Sequence, residues 1–279
     1  MSTPDLTDRL IPIMSSIADE VIVPRFRALA EGEVDEKSPG ELVTIADREA
    51  EIRLTEALTE LLPVPVVGEE AVETHPSLLN ALANDGRCWL VDPLDGTANF
   101  VAGKETFAVM IALVEAGETI ASWIWLPLTR IAYVAERGNG AYRNGVRLTI
   151  PTATSDPAAI RGAIDDPTTY RGAILQKFLT PEQRAAIATA TSHFAVVGPG
   201  QYCAGVEYPR IAEGKQEFVR FQRLRPWDHA PGTLLLEEAG GYVRRWDGSP
   251  YAPGRPGEGL LATANADIWR EVRAAVPLD

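Results

Sequence analysis

The sequence reads as an α/β protein, and three observations point there. Residues 5–30 and 47–63 place apolar side chains at three- and four-residue steps, the period of an amphipathic helix. Residues 107–143 form short apolar or β-branched runs separated by glycine turns, the pattern of an antiparallel meander. From residue 181 onward, helix-like and strand-like runs alternate. The 279 residues suffice for one large domain or two small ones. A shift to Pro, Thr, Asp and Ala over 144–160 divides them as 1–150 and 151–279.

The first helix lines up Leu6, Leu10, Ile13, Ile17 and Val21; Thr3 or Asp5 suits its cap and Pro4 its first turn. Residues 31–43 are polar, with Pro39 and Gly40, and predict a loop or mobile hairpin carrying Lys37. Asp47 opens the second helix, which stops at Pro63. Val64–Val67 is a short strand that delivers Gly68-Glu69-Glu70 at its end. A short helix follows around Pro76–Ala83, with His75 solvated before it. The meander strands are Phe107–Glu115, Thr119–Leu126, Ile131–Glu136 and Gly140–Arg143, turning at Gly117 and at Gly138-Asn139-Gly140. Trp123 and Trp125 are two apart and share a core-facing side. Then come helix Pro181–Ala190, strand Phe194–Val197, helix Gln201–Ala212 and strand Glu217–Phe221. A helix follows Leu224-Arg225-Pro226-Trp227, with Asp228 at its N-cap and His229 on its first-turn surface. Tyr242–Trp246, Gly259–Ala262 and Asp267–Val276 supply two last strands and a last helix.

The chemistry concentrates in Trp89–Phe100, WLVDPLDGTANF. Trp89, Leu90 and Val91 suit a buried strand. Pro93 then forces a turn and Gly96 permits a close backbone approach. Asp92 and Asp95 are like charges a few residues apart on a rigid turn, and like charges raise each other's pKa unless a cation neutralises them. Hard oxygen ligands without Cys or His suit Mg²⁺ rather than zinc. The amides of Gly96 and Thr97 would face the same cavity, ready for a phosphate. The bland alternative is an acidic surface turn between strand and helix.

The composition narrows the partners. A net charge of −13 disfavours nucleic acid but admits a small phosphorylated substrate, because bound metal inverts the local charge. Two cysteines, Cys88 and Cys203, give neither a disulfide framework nor a zinc spacing. No apolar run is long enough to span a membrane, and the acidic N-terminus has no signal-peptide core, so a cytoplasmic place is expected.

Three separated pieces together resemble the inositol monophosphatase family of metal-dependent, lithium-sensitive phosphatases. They are Gly68-Glu69-Glu70, then Asp92-Pro93-Leu94-Asp95-Gly96-Thr97 with Asn99-Phe100, then Trp227-Asp228 with Glu238-Ala239-Gly240-Gly241. Leu42-Val43-Thr44 followed by Asp47 matches an upstream family segment. The resemblance implies a five-layer αβαβα sandwich with an antiparallel N-terminal sheet and a mixed C-terminal sheet. It also implies a Mg²⁺-dependent phosphomonoesterase using two or three ions, commonly a homodimer. Carried over by position, Glu69, Asp92, Asp95, the Leu94 carbonyl and Asp228 hold the metals. Asp47, Thr97 and Glu69 activate the water, and the Gly96 and Thr97 amides hold the phosphate. Asp95, Gly198, Arg220 and Asp228 fall at substrate-binding positions. Lys37 matches a residue of the family's mobile loop. The residues agree independently: Asp47 can accept a hydrogen bond from Thr97, which aims that hydroxyl's lone pair at a water.

The departures from the family lie around the substrate. Gly198-Pro199-Gly200-Gln201-Tyr202 replaces a run of small residues, and Arg220 stands where inositol-specific members carry a sugar-binding Glu. With Arg223 and Arg225 nearby, a more anionic leaving group is expected than inositol, or else the three are surface charges. The leading expectation is a phosphatase of a small polyol or sugar phosphate. Histidinol-phosphate, fructose-1,6-bisphosphate or 3′-phosphonucleotide phosphatases are the alternatives on the same scaffold. A retired binding protein is the alternative of another class.

Overall fold

The computed structural model describes residues 3–150 and 167–276. Helix α1 (Thr3–Ile17) runs on through a π turn (Ala18–Ile22) and a 3₁₀ turn (Val23–Arg25). It stops short of the expected residue 30: Phe26 turns extended and Arg27 takes a positive φ of 59°. Residues 31–43 do make a hairpin: β1 (Val34–Ser38) pairs antiparallel with β2 (Glu41–Thr44). α2 spans Ile45–Leu61, and its cap is Thr44 rather than Asp47.

Seven strands form the first sheet: β3 (Val66–Gly68), β4 (Arg87–Asp95), β5 (Ala108–Glu115), β6 (Glu118–Leu126), β7 (Ile131–Glu136), β8 (Gly140–Arg143) and β9 (Val146–Leu148), in that spatial order. It is antiparallel apart from the edge pair β3–β4, which is parallel. β9 and the short helix α3 (Glu69–Thr74) are additions to the sequence reading. The register of β4 and β5 shifts between Asp92 and Asp95, so the strand is irregular where its carboxylates stand. A 3₁₀ segment covers Pro76–Ala83, and α4 (Thr97–Val101) follows β4.

The second sheet is mixed, with spatial order β11-β10-β12-β14-β13. Its strands are β10 (Arg171–Ile174), β11 (Val196–Gly198), β12 (Phe218–Arg223), β13 (Tyr242–Arg245) and β14 (Glu258–Thr263). β10 runs parallel to both β11 and β12, while β14 is antiparallel to β12 and β13. Among the described residues the helices of this half are α5 (Pro181–Ala190), α6 (Ala204–Ala212), α7 (Pro226–Glu238) and α8 (Ala266–Ala275).

The buried clusters stack these pieces into five layers. α1 and α2 press Leu10, Met14, Leu54 and Leu58 against Trp89, Ile111 and Trp123 on one face of the first sheet. α6 and α7 lie between the sheets, where Tyr208, Ile211, Leu234 and Leu235 meet Met110 and Ile124 on one side and Phe221 and Leu260 on the other. α5 and α8 cover the far face of the second sheet through Ile187, Ile268 and Val272. The expected division near residue 150 borders the stretch 151–166, which lies outside the described residues.

Candidate active site

A cavity of about 370 Å³ opens at the C-terminal end of β4. Its acidic floor comes from three elements: Glu69 at the start of α3, Asp92 on β4 and Asp228 in the first turn of α7. These three carboxylates offer oxygens that all lie within 4.8 Å of one another. Asp95 lines the same cavity, but its Oδ2 accepts from the Gly205 amide (2.6 Å) and the Cys203 thiol (3.0 Å), which ties β4 to α6. Burial, reinforced by Glu69, Asp95 and Asp228, holds the Asp92 carboxyl well above its usual range. Burial, then Glu69 and Asp95, does the same to Asp228, against the opposing Arg225. Burial first lifts Asp95 to about 6. Among the described residues no Lys or Arg makes an ion pair with Asp92 or Asp228. A cluster of mutually repelling carboxylates, centred on the buried Asp92 and without Cys or His, is a donor set that fits a hard divalent cation.

Asp47 joins the site through local helix physics. It sits at the third position of α2, where its Oδ2 accepts from the Thr44 amide (2.8 Å) and hydroxyl (2.5 Å) in a capping box. The other oxygen, Oδ1, accepts from Thr97 Oγ1 at 2.9 Å, the contact expected from the sequence. The Leu94 carbonyl lies 3.0 Å from the same hydroxyl. Burial raises Asp47 to about 6, against the hydrogen bonds from Thr44 and Thr97. Gly96 holds φ +88°, and a Cβ there would sit 2.8 Å from the Thr106 carbonyl, so only glycine makes this turn without strain.

Glu69 is seated by residues the sequence reading did not single out. The Glu51 carboxylate, 5% exposed, accepts from the Glu70 and Ala71 amides at 2.8 and 2.7 Å and so caps α3. Gly68 leaves room for it, since a Cβ there would fall 2.4 Å from Glu51 Cδ. Lys37 reaches from the hairpin to Glu69 (3.1 Å) and Glu70 (2.6 Å). Burial alone would lower the Lys37 pKa, but these two carboxylates outweigh it and raise it. Burial and Glu69 lift Glu70 to about 7 despite Lys37. Glu51 lies at a helix position that otherwise reads as solvated charge, and the signal that could have found it is Gly68 before an acidic pair.

Four expectations change. Arg220 does not line the cavity: it is 2% exposed, stacks 5.0 Å from the Trp246 ring and donates to Gln222. Side chains alternate along β12, so Arg223 faces the cavity and Arg220 the opposite side. Gly198 ends β11 and does not line the cavity; Tyr202 and Cys203 of the following loop do. Asp228 is not the N-cap of α7; Arg225 is, and Asp228 stands three residues further in. His229 is buried, not on the surface. Its Nδ1 lies 2.9 Å from the Tyr208 hydroxyl and its Nε2 2.8 Å from the Arg223 carbonyl. Burial pushes its pKa down to about 4.

The model of the inositol monophosphatase family matches residues 7–276. The chain belongs to the inositol monophosphatase family. It is therefore a hydrolase of phosphate monoesters. The inositol-1-monophosphatase of Rhizobium meliloti (strain 1021) is 30% identical over 265 residues, covering 88% of this chain and 86% of the relative. The fructose-1,6-bisphosphatase/inositol-1-monophosphatase of Thermotoga maritima is 28% identical over 222 residues, 78% of each chain. The structure of the extragenic suppressor protein suhB from Bartonella henselae superposes with a TM-score of 0.81 at 22% identity, over 98% of both chains, and shows the shared fold. The family is metal-dependent, and the acidic floor is where this chain could bind metal. No helix among the described residues is long and apolar enough to cross a membrane.

Proposed function

We propose that this chain is a Mg²⁺-dependent phosphomonoesterase for a small polyol or sugar-type phosphate, working by attack of an activated water. The observation that carries the reading is the meeting of Glu69, Asp92 and Asp228 within 4.8 Å, in a cavity that also holds Thr97 on Asp47. Glu69, Asp92, Asp95, the Leu94 carbonyl and Asp228 would hold two or three ions. Bound there, Mg²⁺ would offset the charge of the attacking and leaving oxygens. Asp47 keeps the Thr97 proton turned toward itself, which leaves a Thr97 lone pair to accept from the water, with Glu69 as its second acceptor. The Gly96 and Thr97 amides at the start of α4 would hold the phosphate. All of these residues except Asp228 come from the N-terminal half, residues 1–150, so both halves are needed. With this reading go a homodimer, a cytoplasmic place and inhibition by lithium. Its test is phosphate release from a panel of phosphomonoesters with and without Mg²⁺. Mg²⁺-dependent turnover of polyol or sugar phosphates is expected; no release from any of them would contradict the reading.

A further inference from the structure

Resting on that phosphatase reading, we propose that Arg223 and Lys177, gathered on the ring of Phe178, form a subsite for a second anionic group. The preferred substrate would then be a phosphate monoester whose alcohol moiety carries another phosphate or a carboxylate. The charges around the cavity support this. Among the described residues its lining holds four cations (Lys104, Lys177, Arg223 and Arg225) and five carboxylates. Four of the five, Glu69, Asp92, Asp95 and Asp228, are assigned to metal. Among the described lining residues that leaves Glu41 as the one carboxylate outside the metal set. Arg225 is committed to Glu41 (2.9 Å), Glu69 (3.3 Å) and Glu73 (3.5 Å).

Arg223 and Lys177 are less committed. The Arg223 guanidinium carbon lies 3.7 Å from the Phe178 ring centroid, and Nη1 pairs with Glu41. Its Nε and Nη2 donors have no partner among the described residues. The Lys177 ammonium lies 5.0 Å from the same centroid and makes no ion pair among the described residues. Partial burial first, then Arg223 and Arg225, hold its pKa below the usual value against the pull of Glu41. The Lys177 stem rests against the hairpin turn, with Cε 3.5 Å from where a Cβ on Gly40 would sit. Two cations fixed by one aromatic ring are positioned before the ligand arrives. A guanidinium fork beside an ammonium suits a phosphate or carboxylate better than a neutral hydroxyl. Glu41 on the same fork shows that a carboxylate fits there.

The test compares kcat/KM for fructose 1,6-bisphosphate, 3-phosphoglycerate and glycerol 2-phosphate, whose remainder is neutral, with Mg²⁺ present. Wild type should prefer at least one of the two bis-anionic substrates over glycerol 2-phosphate. In Arg223→Gln and Lys177→Glu, with folding checked by melting, that preference should fall about tenfold or more, the worth of a charge-assisted contact. Lys177 is exposed, so its variant keeps the test open if Arg223→Gln fails to fold. A fall with the bisphosphate assigns a phosphate subsite, and a fall with the phosphoglycerate a carboxylate one; either supports the proposal. Wild-type preference for glycerol 2-phosphate, or a preference unchanged within about twofold in the folded variants, overturns it while the phosphatase reading stands. No release from all three overturns both.

Discussion

Asp47 divides its two oxygens between a helix and a hydroxyl. Oδ2 closes the capping box of α2 and Oδ1 accepts a hydrogen bond from the Thr97 hydroxyl, so the force that starts a helix also aims a reacting group. That pairing was legible because Asp47 opens a helix and Thr97 follows a strand-end turn, whereas the Thr44 cap that seats Asp47 came only with the structure. Arg220 was not legible: which side of a strand faces a cavity depends on register, and one residue of shift reverses it. Thr97→Ala should lower kcat by about 10²–10⁴ while leaving Mg²⁺ dependence largely in place. A steady-state titration with Mg²⁺ separates the two effects, and a kcat within a few-fold of wild type would leave Thr97 as no more than a turn residue.

At the scale of elements, three short pieces aim at one point: β4 ends in Asp92, α3 begins with Glu69, and the first turn of α7 holds Asp228. β4 and the meander could be read because long apolar runs and glycine turns are strong local signals. α3, β9 and β10 could not, since none of them lies in a continuous apolar run of the kind that marked the equally short β3 and β11. Glu51 shows what short elements need in return. α3 is too brief to orient Glu69 by its own ladder, and a carboxylate from α2 holds its first amides. Glu51→Ala should cost about 1–3 kcal/mol of stability by orphaning those amides. It should also raise the Mg²⁺ concentration for half-maximal activity several-fold, with Glu51→Gln milder. Equal Mg²⁺ titrations for Glu51→Ala and wild type would show that Glu69 needs no such seat.

For the molecule as a whole, the layer order followed from periodicity and family likeness, whereas the burial of His229 depended on α6 packing against α7, which no local pattern encodes. The site opposes the fold's stability when no metal is bound. Asp47 and Asp95 are raised to about 6 and Glu70 to about 7, all by burial first. Raised carboxyl pKa values mean the folded state holds protons that the unfolded state has released. Their contribution to stability is therefore full below about pH 4 and is lost as pH rises through about 6–7. His229, pushed down to about 4, works in the opposite direction between about 4 and 6.5, but it is one group against several. Mg²⁺ binds the deprotonated carboxylates, so the rise in Tm produced by saturating Mg²⁺ should grow between pH 5 and 7. Calorimetry at each pH would check it, and a Mg²⁺ effect that is absent or shrinks with pH would speak against metal in this cluster. The most direct measurement is phosphate release by Asp92→Asn at saturating Mg²⁺, with folding verified by circular dichroism. Asp92 is the buried member of the three-carboxylate group, and removing its charge should abolish turnover in a folded protein. Wild-type Mg²⁺-dependent release from folded Asp92→Asn would contradict the assignment of the site.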